Sequence, residues 1–290
     1  MTYLKGLFFI FLGLIGIILV SFILSFSYSF SRPDQWTLLS ATSLAFNAIM
    51  ALMFVGWLQS LIMQRVDHVD IYWGLSLLIA PLPTFLIRGA YFHVLVMCIL
   101  ALWSFRLQIQ IKLKHIGKPE DIRYQNFRRY FGAADYWWFS FYQVFVLQGF
   151  LACLIATPLQ VIMLQFNLNW LIIPPLCISI AGIIYEGIAD YQLYKFKQAH
   201  QKGILTTGLF AYSRHPNYFG EILVWLGFTL AALTQTTSII QIIGSLLSFA
   251  LLTYLISEVS GVKMTARVMH NRPGYQDYSN KVPALIPKFF

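Results

Sequence analysis

Apolar runs long enough to cross a bilayer recur from one end of this chain to the other, and they constrain its fold more than any other feature. Residues 7–27 form the first, and no small-residue cleavage site follows it, so it reads as a retained transmembrane helix rather than a removed leader. Further spans are expected at about 38–63, 71–87, 90–111, 139–163, 170–190, 218–233 and 238–258. The third and seventh are short enough to be half-helices, which gives seven to eight crossings. With 58% hydrophobic and 11% charged residues, the chain is too apolar for a soluble domain. The expected fold is all-α, a polytopic integral membrane helical bundle.

The meaning of the net charge of +9 depends on where the basic residues sit. Eight spans put every Lys and Arg on one side except Arg32 and Arg88. The positive-inside rule makes that side, with both termini and all long loops, cytoplasmic. Such a chain belongs in a bacterial inner membrane or the endoplasmic reticulum. Topology accounts for the charge, so no nucleic acid is expected, and no obligate protein partner is evident.

The three cysteines, Cys98, Cys153 and Cys177, fall inside expected spans and give neither a disulfide framework nor metal spacing. The six histidines are scattered, with no HExxH, so no metal is expected. No GxGxxG after a strand, Walker loop or GxSxG is present. Any cofactor must then be held by helices and loops of the membrane fold.

The densest polar stretch is Tyr212-Ser213-Arg214-His215-Pro216-Asn217-Tyr218-Phe219-Gly220-Glu221, directly ahead of the apolar run 222–233. Pro216 suits a first helical turn, which puts Asn217, Tyr218 and Glu221 on the opening turns and makes Asn217 and Glu221 i, i+4 neighbours. A carboxylate in lipid is costly unless it is paired or faces a polar cavity, which marks Glu221 as a functional residue; a snorkelled helix end is the alternative. Upstream, Glu186 and Asp190 share one helix face, where like charges repel unless a cation, a proton or a hydrogen-bonding ligand lies between them. A salt bridge to Arg214 is the structural alternative.

Earlier in the chain, Asp70 sits where a helix starts and fits either an N-cap or a functional role. Pro81 and Pro83 should kink the third span. Arg88, Tyr91 and His93 follow, with His93 read as a structural residue. The loop Lys112 to Tyr130 interleaves basic residues with tyrosines, which suits either cofactor phosphates or anionic lipid. After the last span, Arg267, Arg272-Pro273-Gly274-Tyr275, Tyr278 and Leu285-Ile286-Pro287 read as a lid, or as a tail on the lipid surface.

The 212–221 stretch, with Glu186, Asp190, Gln192 and Phe196-Lys197 before it and the Arg272-Pro273-Gly274-Tyr275, Tyr278 and Leu285-Ile286-Pro287 elements after it, resembles the steroid 5-alpha-reductase family. The resemblance is to its bacterial, largely uncharacterised branch, and it includes Asp70, Trp73-Gly74 and residues 118–124. It covers residues 65–290, which leaves 1–64 as N-terminal transmembrane helices.

The resemblance implies a membrane bundle holding NADPH and passing hydride to the β-carbon of an enone. The substrate would be a hydrophobic steroid-, isoprenoid- or fatty-type lipid. Matched positions make Asn217 and Glu221 the nicotinamide-end residues, and Glu186 and Asp190 the ribose and adenine contacts. Lys197, Arg214, Arg267 and Arg272 would meet the phosphates, within a cofactor site that also includes Tyr212, Ser213, His215 and Tyr218. Tyr275 and Tyr278 would close the lid. The second-helix Gln-Glu pair of the eukaryotic members has no placed counterpart, which leaves Asp70, Tyr72 and Tyr91 as proton-donor candidates. Basic loops favour NADPH over NADH on charge grounds. Membrane methyltransferases of the isoprenylcysteine carboxyl and phospholipid N-methyl types share the Arg-His-Pro element and bind S-adenosylmethionine, so that activity is the alternative. A lipid-binding protein without chemistry is a third.

Overall fold

A computed structural model describes residues 2–29, 37–89, 91–165, 169–199 and 203–288. Arg32 and Ala90, the start of the fourth expected span, lie outside the described residues. The described residues are helical and contain no strand. Among the described residues, eight helical stretches are long and apolar enough to cross a membrane, one at each expected position. The chain divides by contact into two compact units, residues 1–168 and 169–290.

The first unit holds α1 (Thr2–Ser29), α2 (Leu38–Met63), α3 (Val69–Ile79), α4 (Leu82–Arg88), α5 (Tyr91–His115), α6 (Ile122–Phe131), α7 (Tyr136–Ser140), a π-helical turn (Phe141–Val146), α8 (Leu147–Ile155) and α9 (Thr157–Met163). Helix α2 is its hub and packs against α1, α3, α4, α8, α9 and the π turn. Aromatic residues fill that core: Trp57 packs on Phe54, Phe141 and Trp137, and its indole N–H donates to the Trp137 carbonyl at 2.9 Å.

Two of the spans are broken, each at proline. Pro81 has no N–H to continue the ladder after α3, so the helix stops and restarts as α4. Pro158 has the same effect between α8 and α9, where the Thr157 hydroxyl takes the freed Leu154 carbonyl at 2.7 Å. The carbonyls at the end of α9 are also satisfied. Arg88 donates to Leu164 O at 2.8 Å, and the buried His93 donates through Nε2 to Ile162 O at 3.1 Å. Both side chains thus tie the end of α9 to α4 and α5.

The second unit begins with a 3₁₀ turn (Trp170–Ile172) and continues through α10 (Ile173–Ala199), a second 3₁₀ turn (Gly208–Ala211), α11 (Pro216–Gln235), α12 (Ile239–Tyr254), a π turn (Leu255–Ser260), α13 (Val262–Met269) and α14 (Tyr275–Lys281). Helices α10 and α11 form an antiparallel hairpin. Asn169 and Gln235 join its far end through paired hydrogen bonds of 2.6 and 3.3 Å. Glycines let the two backbones touch. A Cβ on Gly182 would fall 2.7 Å from Val224 N, one on Gly220 would fall 2.7 Å from Glu186 Cβ, and one on Gly227 would fall 2.6 Å from the Pro175 carbonyl. The Ser179 hydroxyl donates across the seam to Val224 O at 2.9 Å.

Gly220→Leu should force this hairpin apart and lower stability by about 1–3 kcal/mol, the usual cost of overpacking. Thermal unfolding of the detergent-solubilised chain reads the loss. Gly16→Leu on α1, where a Cβ meets nothing within 4 Å, should leave the midpoint unchanged.

Candidate functional site

The mouth of α11 concentrates the chemistry of the second unit. Pro216 occupies the first helical turn as expected, and His215 precedes it with φ −135° and ψ 62°. Asn217, buried, therefore points across the seam and donates through Nδ2 to Asp190 Oδ1 at 3.3 Å. Glu186, one turn back on α10 and only 3% exposed, lies under Gly220. Glu221 is half-buried on the turn after Asn217. The hairpin thus brings Asn217 to Asp190 and Gly220 to Glu186, with Glu221 one turn after Asn217 on α11.

Arg214 and His215 supply the other half of the site. Arg214 does not bridge to Glu186 or Asp190. Its backbone N–H donates to Pro283 O at 2.9 Å and its Nη1 to the Tyr275 hydroxyl at 3.4 Å, while its Nε is buried with no partner. His215, 6% exposed, stacks on Tyr218 with ring centroids 5.3 Å apart and an 18° tilt, and its Nε2 is buried and unpartnered. Burial, reinforced by the Arg214 charge, pushes the imidazole down to about 4, so it is neutral at pH 7.

The C-terminal segment folds along the 212–214 stretch. Lys288 N–H donates to Tyr212 O at 3.0 Å, and the buried Ser213 hydroxyl donates to Leu285 O at 2.7 Å. Tyr275 and Tyr278 are buried beneath it, and Tyr278 donates to the Phe210 carbonyl at 2.6 Å. Burial pushes the Tyr278 phenol up to about 12. Arg272 is held by the Gly203 carbonyl at 3.1 Å, and Arg267 is exposed. Lys197 is exposed at the last turn of α10. Gln192 emerges as a further residue that shapes the site. Its Oε1 accepts from Leu209 N–H at 3.0 Å, against the left-handed Gly208 at φ 63°, and so sets the loop leading into the motif. Gln192 stands two residues past Asp190 on α10 and is among the residues that carry the family resemblance. Thr265, which meets the Tyr218 hydroxyl at 3.5 Å, carries no comparable signal in the sequence.

Tyr91 and Asp70 lie in the first unit. Tyr91 is 95% exposed at the start of α5. Asp70 does not cap α3, whose N-cap is His68; it lies in the first turn, 3.8 Å from Arg123. Tyr72 donates to Gln59 across α2 and α3.

The charged loops of the first unit close on themselves. Buried Asp67 takes two bonds from Arg65, at 3.1 and 2.8 Å, and one from the Asp121 N–H at 3.1 Å, with His115 Nε2 at 3.5 Å. Arg65 also donates to the Lys118 and Pro119 carbonyls, and Glu120 accepts from Val66 N–H at 2.7 Å and from Arg128 at 3.1 Å. Burial acts to raise the Asp67 carboxyl, but the Arg65 and Asp121 hydrogen bonds more than offset it and hold the group below the usual carboxylate range.

The fold and this polar helix mouth define a multi-pass all-α membrane protein. A family model described as "Protein of unknown function (DUF1295)" matches residues 56–282, and the chain belongs to that family. It is similar to an uncharacterized protein of Schizosaccharomyces pombe, C594.04c, at 24% identity over 272 residues, which is 80% of this chain and 75% of that protein. No solved structure matches it.

Asp67→Asn should cost about 2 kcal/mol, less than a fully buried pair because Arg65 is 25% exposed, and should speed proteolysis of residues 116–121. Adding Arg65→Gln should restore part of the loss by removing the orphaned charge. His215 sets a pH dependence of known sign. Between pH 6.5 and about 4 the unfolded chain binds its proton and the folded one does not, so stability falls as pH drops through that window. His215→Asn should flatten this part of the melting-temperature profile.

Proposed function

We propose that the second unit binds NADPH at the mouth of α11 and that the chain is a membrane reductase acting on the C=C bond of an enone or related lipid. The observation that carries this reading is the pairing of two opposite features. A buried acid–amide face, Glu186, Asp190 and Asn217, stands in the same unit as a guanidinium with no carboxylate partner among the described residues. The first suits the hydroxyls and amide of a nucleotide, and the second suits its phosphates. The buried open atoms Arg214 Nε and His215 Nε2 fit such a ligand.

NADPH, when bound, supplies the hydride. Asn217 and Glu221 orient the nicotinamide end, and Glu186 and Asp190 accept from ribose or adenine. Arg214 pairs with phosphate, joined by Lys197, Arg267 and Arg272. His215, neutral, adds a hydrogen bond without adding charge. The C-terminal segment over Tyr212–Arg214, backed by Tyr275 and Tyr278, excludes water. The hydrophobic substrate enters from the bilayer, and the one-sided placement of Lys and Arg assigns both termini to the cytoplasm.

Thermal unfolding of the detergent-purified chain with NADPH, NADH and S-adenosylmethionine tests this. NADPH at ~100 times its dissociation constant should add about 2.7 kcal/mol of stability. Arg214→Gln should weaken it about 10- to 100-fold through loss of a charged hydrogen bond. Glu221→Gln should weaken it as well. Stabilisation by S-adenosylmethionine instead would make the chain a methyltransferase, and silence from all three would remove the cofactor reading.

A further inference from the structure

Helix α6 joins an inward polar network to an exposed surface of mixed character. Arg128 reaches Glu120 and lies 5.1 Å over the Tyr136 ring, Arg123 holds Asp121 at 3.0 Å, and Tyr124 is buried. Exposed on it are the apolar Ile122, Phe127 and Tyr130, the last at 84%, with Asn126 and Arg129 among them. Leu113 and Ile116, just before it, are exposed as well. Together these exposed apolar side chains form a group of the kind that marks a membrane or ligand contact.

Charge follows the same division. The arginines Arg65, Arg123 and Arg128 are spent on Asp67, Asp70, Asp121 and Glu120. Lys112, Lys114, Lys118 and Arg129 are exposed and make no ion pair among the described residues. Three of them precede α6 in the chain and Arg129 is on it, so positive charge flanks the exposed apolar residues in sequence. The span Tyr91–His115 precedes this segment and the span Tyr136–Ile155 follows it, so both ends of α6 lead into the bilayer and the helix lies at the surface of one leaflet.

We infer that α6 is an interfacial platform that binds anionic phospholipid. Ile122, Phe127 and Tyr130 sit at the headgroup–acyl boundary, and Lys112, Lys114, Lys118 and Arg129 contact the headgroup phosphates. A zwitterionic lipid satisfies the exposed apolar residues and leaves the four cations unmatched, which makes the site selective for net negative charge.

Native mass spectrometry of the full chain in detergent, with phosphatidylglycerol and phosphatidylcholine at equal concentration, reads the preference. The wild-type chain should retain phosphatidylglycerol over phosphatidylcholine. Each cation removed should lower the preference about five-fold, so the combined Lys112→Gln, Lys114→Gln, Lys118→Gln, Arg129→Gln chain should retain both alike. Lys281→Gln with Lys288→Gln should keep the preference. An undiminished preference in the four-fold variant overturns the inference, as does equal binding of sn-glycerol 3-phosphate, which would mark a soluble-phosphate site. The three lysine substitutions alone give the same reading if the four-fold variant fails to fold.

Discussion

The second unit depends on backbone contact between α10 and α11. Gly182, Gly220 and Gly227 remove the side chains that would separate the helices, and without that approach Asn217 could not reach Asp190. Lipid offers no hydrophobic drive for two apolar helices to pair, so close packing and hydrogen bonds across the seam supply the association. The same contact buries Glu186 beneath Gly220. Hairpin stability and site chemistry are thus one property of the sequence, and a side chain at Gly220 would disturb both.

The spans were legible because the bilayer fixes their length and composition, whatever packs against them. The break at Pro81 was legible for the same local reason, because a missing N–H acts on its own helix. The polar stretch at 212–221 was legible from its composition and from Pro216, and the i, i+4 relations of Glu186 with Asp190 and of Asn217 with Glu221 could be read directly from helical spacing. Asp67 shows where this stops. Its partners, Arg65 excepted, come from residues 115–121, and nothing in a short window links an acid to an amide 54 residues away. The Arg214–Pro283 and Ser213–Leu285 bonds are invisible for the same reason, although the tail itself was recognisable.

Arg214 is held differently from three arginines of the first unit. In the first, Arg65, Arg123 and Arg128 each meet a carboxylate, so the network is closed and its energy goes into tying loop to loop. In the second, Arg214 meets a phenol and a carbonyl, keeps a buried N–H open, and sits beside an imidazole that burial holds neutral. A buried donor without an acceptor costs about 1–3 kcal/mol, a cost that an anion bound under the proposed reading would offset at Arg214.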